Sequence, residues 1–150
     1  MRKSRFHRAT RSKTAPAVHE PRLVETALGP EKGPFAIPYV ALRFYQPDFQ
    51  CFSEWAADEL RAFSDFNRKL RQMTWQLVYQ SGGRVGEKTG LGYTTWPRAV
   101  LPPPAELAAI SDDITWFELR VTKRARVHGF RAGAAFFLVY LDRLHEVFAS

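Results

Sequence analysis

The sequence predicts an α+β domain over residues 35–150, preceded by a disordered basic tail over residues 1–34. Three observations predict this class. The middle of the chain has the apolar periodicity of an amphipathic helix, the last third alternates like β-strands, and the first 34 residues show neither pattern. At 150 residues with 45% hydrophobic side chains, the chain can build one domain with a substantial core.

The N-terminal segment holds most of the formal net charge of +7. Residues 1–34 carry eight Lys or Arg against three Glu, whereas residues 35–150 carry fourteen Lys or Arg against twelve Asp or Glu. Prolines and glycines interrupt this segment, which is typical of disorder. It is either a solubilising extension or an arm that binds phosphates without sequence preference.

Order is predicted to begin with a strand in "FAIPYVALRFYQ". Pro38 favours a sheet edge for this strand, because proline donates no hydrogen bond to a neighbouring strand. An amphipathic helix is expected next, with Ser53 as N-cap. Its apolar stripe is Leu60, Phe63, Phe66, Leu70 and Met73. Thr74 is expected to cap a second, short helix, "WQLVYQ".

Residues 81–104 are rich in glycine and then in proline, which predicts a surface connection. A phosphate-binding loop is poorly supported there, because the spacing G-x-x-x-x-G-K-[ST] is absent. A short helix is expected over residues 104–110.

The last third predicts a three-stranded antiparallel meander, formed by "WFELRV", "RVHGF" and "AAFFLVYLD" with short turns. The helix pair is the natural cover for its apolar face. On the middle strand, Arg126, His128 and Phe130 share one face, beside Glu118 or Arg120 of the preceding strand. We expect these basic side chains on a sheet face that is open to water.

Arginine, lysine and histidine on one sheet face suit phosphate-ester chemistry in RNA, because histidine exchanges a proton near neutral pH and arginine offers paired donors. Alternatively, the basic residues only protect a solvated hairpin from aggregation. His128 could equally pack against aromatic rings, and His145 could hold the strand end by bonding a backbone carbonyl or Asp142. A metal site is poorly supported, because neither H-x-x-x-H nor a Cys partner is present. We expect no cofactor.

Two resemblances follow from these residues. The ending "RARVHGFRAGAAFFLVYLDRLHEVF" resembles a tail shared by small uncharacterised bacterial proteins, with R-V-H-G-F, an apolar strand and then L-D-x-x-H. "YVALRFYQPDF" and "LRQMTWQLVYQ" fit the same group, which implies no activity. More distantly, a helix pair followed by a meander with arginine on its middle strand is similar to the RelE/ParE-like toxin superfamily, over about residues 53–148.

The toxin resemblance implies a metal-independent RNA endonuclease that acts on messenger RNA at the ribosome and is neutralised by an antitoxin protein. Arg126 would stabilise the phosphate, and His128 or His145 would donate or accept the proton. The residues expected to bind nucleic acid are Arg120, Lys123, Arg124, Arg131 and Arg143. The basic tail and the residues 81–104 are departures from such toxins.

Two other functions stay open: a noncatalytic nucleic-acid-binding accessory protein of a bacterial mobile element, and an interaction module that binds no nucleic acid. Cys51 is the one cysteine and cannot form an internal disulfide. No apolar segment approaches the roughly 20 residues of a membrane-spanning helix, and no signal-peptide pattern follows the basic N-terminus. We therefore expect a cytoplasmic protein with no membrane partner.

Overall fold

The computed structural model describes residues 28–83, 90–97 and 112–147. The elements are β1 (Tyr39–Ala41), a 3-10 turn (Phe52–Glu54), α1 (Ala57–Leu70), α2 (Trp75–Gln80), β2 (Thr94–Trp96), β3 (Trp116–Arg120), β4 (Arg126–Ala132) and β5 (Ala135–Asp142). The predicted α+β class is confirmed. The predicted disorder of residues 1–27 and the helix over residues 104–110 lie outside the described ranges.

One sheet contains all five described strands, in the order β1-β5-β4-β3-β2. β2 to β5 form an antiparallel meander of four strands, and β1 joins β5 in parallel. The predicted three-stranded meander was therefore too small. β2 was missed because three residues, "TTW", are too few to show an alternating pattern inside a glycine-rich segment. β1 lies at the edge, as Pro38 indicated, and is shorter than predicted.

The helices follow the predicted periodicity, with one correction at the first N-terminus. Phe66 and Leu70 are buried under α1, whereas Leu60 is 40% exposed. Ser53 is not the N-cap, because it lies in the 3-10 turn and the helix begins four residues later. The cap residue is Ala56, whose amide donates to the Glu59 side chain (3.0 Å). Thr74 caps α2 as predicted.

The two faces of the sheet are both covered at their centre. The buried cluster that includes Trp75 of α2 and Leu70 of α1 contacts one face through Phe117 and Leu138. On the opposite face, a second cluster consists of Trp116, Phe130, Val139 and Tyr140, with Phe44 and Phe49 packed against it. The face expected to be open to water is therefore largely buried in its own apolar cluster.

A β-bulge in β5 decides which side chains reach this second face. His128 pairs with Tyr140 but Gly129 pairs with Leu138, so Val139 is an extra residue in β5. After the bulge the alternation is inverted, and Asp142 shares a face with its partner Arg126. A Cβ atom on Gly129 would overlap the carbonyl oxygen of Phe137, so this position requires glycine.

Structural order extends into the segment predicted to be disordered. The Pro34 carbonyl accepts a hydrogen bond from the Gln76 amide (2.9 Å), and the Gly33 carbonyl accepts one from Arg131 (2.6 Å). These bonds hold the last residues of the predicted tail against α2 and β4. Among the described residues, no helix is both long enough and apolar enough to cross a membrane.

Candidate functional site

Ionisable side chains meet on the second face where β3 ends, β4 begins and β5 ends. Cross-strand pairing places Glu118 opposite His128, and Arg126 opposite Asp142. His145 follows in the turn after β5 and points back toward Glu118. We call these five residues the polar cluster. They come together because strand alternation and the β5 bulge place the four strand residues on one face.

The innermost part of the polar cluster is a buried histidine and carboxylate pair. His128 and Asp142 are both fully buried, and His128 Nε2 lies 3.1 Å from Asp142 Oδ2. The amides of Glu146 and Val147 also donate to the Asp142 carboxylate. Burial alone raises the pKa of Asp142, but the hydrogen bonds from His128 and the two amides outweigh it and hold the pKa below its ordinary value. The carboxylate is therefore charged, and the imidazole donates to it.

Glu118 lies at the centre of the polar cluster and is only 4% exposed. Its Oε1 is 3.8 Å from Arg126 Nε, and its Oε2 is 3.9 Å from His128 Nε2 and 3.8 Å from His145 Nε2. These distances are ion-pair separations and exceed hydrogen-bond length. One carboxylate thus faces three basic groups, one of which belongs to the turn that leads to the surface.

Arg126 is buried rather than displayed, and this corrects the expectation of an open basic face. It is 9% exposed, and its Nη1 atom donates to the carbonyls of Thr122, Lys123 and Ala125. Burial lowers the pKa of its guanidinium, while the charge of Glu118 partly restores it. The turn between β3 and β4 folds over this side chain, which alternation alone does not reveal.

His145 is the member of the polar cluster that reaches solvent. Its side chain is 24% exposed, while its Nε2 atom is buried and faces Glu118. Its backbone has φ of +54°, a left-handed conformation that is uncommon for a residue other than glycine. Strained backbone of this kind is concentrated at functional sites. The side chain of Asp142 does not bond His145, although the backbone amide of His145 donates to the Asp142 carbonyl (3.3 Å).

Four of the five predicted nucleic-acid-binding residues lie at the end of the sheet where β3 and β5 end, and Arg131 lies elsewhere. Lys123 and Arg124 are exposed in the turn between β3 and β4, and Arg120 precedes them at the end of β3. Arg143 forms an ion pair with Glu59 of α1 (2.8 Å).

Arg131 lies at the opposite end of β4 from Arg126. Its guanidinium donates to Gly33, Gly133 and Tyr79, and stacks 4.7 Å from the centre of the Trp75 ring. Its contacts therefore hold the N-terminal segment and α2 against the sheet.

The sequence interpretation gave the two acids of the polar cluster no catalytic role. Glu118 was expected beside His128, and this neighbourhood is confirmed. The available signal was the presence of single acids in two otherwise apolar strands, "WFEL" and "LVYLD". A buried carboxylate is rare unless it is paired, so both acids indicated nearby basic groups.

The polar cluster is not arranged as a metal site: in the described ranges, no group of three or more His, Cys, Asp or Glu side chains could hold a metal ion. Comparison with protein-family models, with curated proteins and with solved structures gives no match.

Proposed function

We propose that the protein is an RNA endonuclease that needs no metal and uses His145 to transfer a proton during phosphodiester cleavage. The observation that supports this proposal is the contact between His145 and Glu118: a partly exposed imidazole has a buried nitrogen 3.8 Å from a buried carboxylate. Such an arrangement places an imidazole, the side chain that most often transfers protons in enzymes, between a buried anion and solvent. The distant likeness to RelE/ParE-like toxins supports the same reaction class.

Burial of the polar cluster argues that it serves more than folding. Removing ionised groups from water costs several kcal/mol per ion, and well-packed hydrophobic residues are often more stabilising in their place. The pair of His128 and Asp142 is fully buried on the central strands, beside the apolar cluster of Trp116 and Phe130. A chain under selection for stability alone has no need of charges there. Ionisable groups perturbed by burial and by specific partners are typical of functional sites.

The proposed reaction uses the 2′-hydroxyl of the RNA as the nucleophile. The neutral His145 imidazole takes the 2′-hydroxyl proton as the 2′-oxygen bonds to phosphorus. The bond from phosphorus to the 5′-oxygen then breaks, the departing oxygen takes a proton from water, and the hydroxide so formed takes the proton back from the His145 imidazolium. The products are a 2′,3′-cyclic phosphate and a 5′-hydroxyl. Glu118 stabilises the imidazolium that forms.

The roles of the other residues differ from those first expected. Arg126 and His128 act as positioning residues, because both are buried and bond the turn carbonyls and Asp142 respectively. Lys123 and Arg124 supply exposed positive charge in the turn above them. When its phosphates dock at this turn, the RNA lies close to the polar cluster.

Cleavage of a fluorescent RNA by the purified full chain tests the proposal. His145→Asn removes the proton-transfer group, and asparagine tolerates left-handed backbone. We expect a loss of rate of about 10²-fold or more. Glu118→Gln should lower the rate less, because it leaves the imidazole in place. Analysis of the cleaved ends should show a 2′,3′-cyclic phosphate.

Asp58→Asn is the matched control, because this exposed carboxylate in the first turn of α1 lies outside the polar cluster and should leave the rate unchanged. In bacteria, the wild-type chain should inhibit growth and His145→Asn should not, if the protein acts as a toxin with an antitoxin partner. Undiminished cleavage by His145→Asn, or no cleavage by the wild-type chain, would refute the ribonuclease proposal.

A second function, nucleic-acid binding without cleavage, is favoured by one observation. Arg126 and His128 are buried, whereas Lys123 and Arg124 are exposed, so the most accessible charges are suited to binding alone. This alternative predicts salt-dependent RNA binding by a protein that cuts no RNA.

A further inference from the structure

Two cations converge beside a surface pocket between α1 and the end of β3. The pocket has a volume of about 300 Å³, and its lining includes Lys69 and Arg120. The Lys69 ammonium lies 4.0 Å from the position of a Cβ atom on Gly90, and the Arg120 guanidinium lies 3.2 Å from the same position on Gly92. The two charges therefore approach neighbouring stretches of one loop, which carries no side chain at either glycine.

Among the described residues, no acid neutralises the two cations of this pocket. The acidic residue described in its lining, Asp65, forms ion pairs with Arg61 (3.5 Å) and Arg68 (2.6 Å) on its own helix. Within the ranges that the structure describes, neither Lys69 nor Arg120 has an ion-pair partner. Two unpaired cations at one concave surface attract an anion.

The pocket lies at the same end of β3 as the polar cluster, on the side of the sheet that faces α1. Arg120 and Glu118 are two residues apart on this strand, a spacing of about 6.6 Å along the backbone. β2 pairs with β3 only as far as Glu118, so Arg120 lies beyond its end, where its amide donates to the Leu91 carbonyl (2.7 Å). An extended polyanion could therefore contact the pocket and the turn of Lys123 in succession.

We infer that Lys69 and Arg120 bind a phosphodiester group of the same single-stranded RNA that the proposed function places at His145. This inference rests on the proposed function. Arginine presents two parallel donors to a phosphate, and lysine adds a compact charge. Arg120 is among the residues that the sequence predicts to bind nucleic acid. Lys69 is not, because it is on the charged face of a helix and its approach to Gly90 is a tertiary contact.

RNA binding without cleavage tests this inference. Anisotropy of a labelled 2′-O-methyl RNA, which has no free 2′-hydroxyl, is measured over a series of NaCl concentrations with the full chain. Lys69→Ala and Arg120→Ala should each weaken binding several-fold and reduce the slope of log K against log[NaCl] by about 0.7, the value for one lost phosphate contact. Arg71→Ala, which removes an exposed charge two residues from Lys69, should change neither quantity.

Two further titrations show which kind of anion the pocket binds. Inorganic phosphate and poly-glutamate are titrated while the amide resonances of Gly90 and Leu91 are followed by NMR. The inference is supported if RNA shifts these resonances at concentrations where inorganic phosphate and poly-glutamate do not. Saturation by inorganic phosphate or by poly-glutamate, with unchanged RNA binding in both variants, overturns it.

The outcomes separate this inference from the ribonuclease proposal. Loss of RNA affinity in the Lys69 and Arg120 variants of a protein that cuts no RNA supports the phosphate site and refutes only the ribonuclease. Cleavage that depends on His145, together with wild-type affinity and salt slope in both variants, refutes only the phosphate site. Arg120→Lys keeps the charge but loses the paired donors, so it should keep the wild-type salt slope and lose part of the affinity. Lys69 is exposed, so its replacement does not threaten the fold.

Discussion

The two faces of the sheet bury different chemistry, although the same strands form both. Under α1 and α2 the buried side chains are almost entirely apolar, with Phe117 and Leu138 among them. On the opposite face, the apolar cluster around Trp116 ends at a group that includes Glu118 and Asp142. Burial of apolar area stabilises the first face at roughly 25 cal/mol per Å². The second face buries charges, which adds little net stability and fixes the positions of reactive groups.

The bulge in β5 places Asp142 on the second face of the sheet, among the other charged residues. If β5 kept regular alternation through Val139, with no bulge, Asp142 would point toward the helices and away from His128. The polar cluster therefore depends on one irregularity of the backbone. Two substitutions test this dependence, and a third tests a contact outside the polar cluster.

Gly129→Ala should have the largest effect, because the new methyl group would overlap the backbone of β5 beside the bulge. We expect a loss of about 3 kcal/mol or more in the free energy of unfolding, measured by urea denaturation. Gly133→Ala is the control: it adds a methyl group in the turn, at φ of +61°, and should cost about 1–2 kcal/mol. A Gly129→Ala protein no less stable than the Gly133→Ala protein would contradict the close approach of the strands. A protein too unstable to purify would agree with it, provided that Gly133→Ala folds.

Asp142→Asn should have the next largest effect and should depend on pH. At neutral pH the variant loses a charge-assisted hydrogen bond with His128, at a cost of about 1–3 kcal/mol. The pKa of Asp142 is depressed by folding, so its stabilisation is fully present above the unfolded value of about 3.9 and is lost as the pH falls through the folded value. The unfolding free energies of wild type and variant should therefore converge in acid. Curves that stay parallel from pH 8 to pH 3 would show that the charge of Asp142 is not stabilising.

Arg143→Ala should have the smallest effect. Its ion pair with Glu59 joins the turn after β5 to α1, but both side chains are partly exposed and water screens the attraction. The thermal midpoint should fall by no more than about 2–4 °C. RNA affinity should change little, because Glu59 already neutralises this arginine. A several-fold loss of affinity would instead restore Arg143 to the nucleic-acid-binding surface that the sequence predicted.

Much of the fold could be predicted because its signals are local. The stripe through Phe66 and Leu70 gave the long helix, Thr74 gave the start of the short one, and the alternation in "WFELR" gave β3. The three-residue strands β1 and β2 were misjudged, because so few residues carry no periodic signal of their own. Their place in the sheet is set by pairing with β5 and β3.

The site was predicted in part, for the same physical reason. Alternation correctly placed Arg126 and His128 on one face of β4, and cross-strand pairing put Glu118 beside them. It could not show that this face is covered, because the covering residues Phe44 and Phe49 are distant in sequence. Strand alternation could not predict the ion pair between Arg143 and Glu59, because these two residues are 84 positions apart in the sequence.

Local patterns in the chain are enough to predict the α+β class, the two helices and the strands of the last third, because helix and strand periods are properties of neighbouring residues. The burial of Arg126 and His128 and the place of Asp142 beside them follow from tertiary packing. One added residue in a strand inverts every later side chain, and only the register with the neighbouring strand reveals where that inversion occurs.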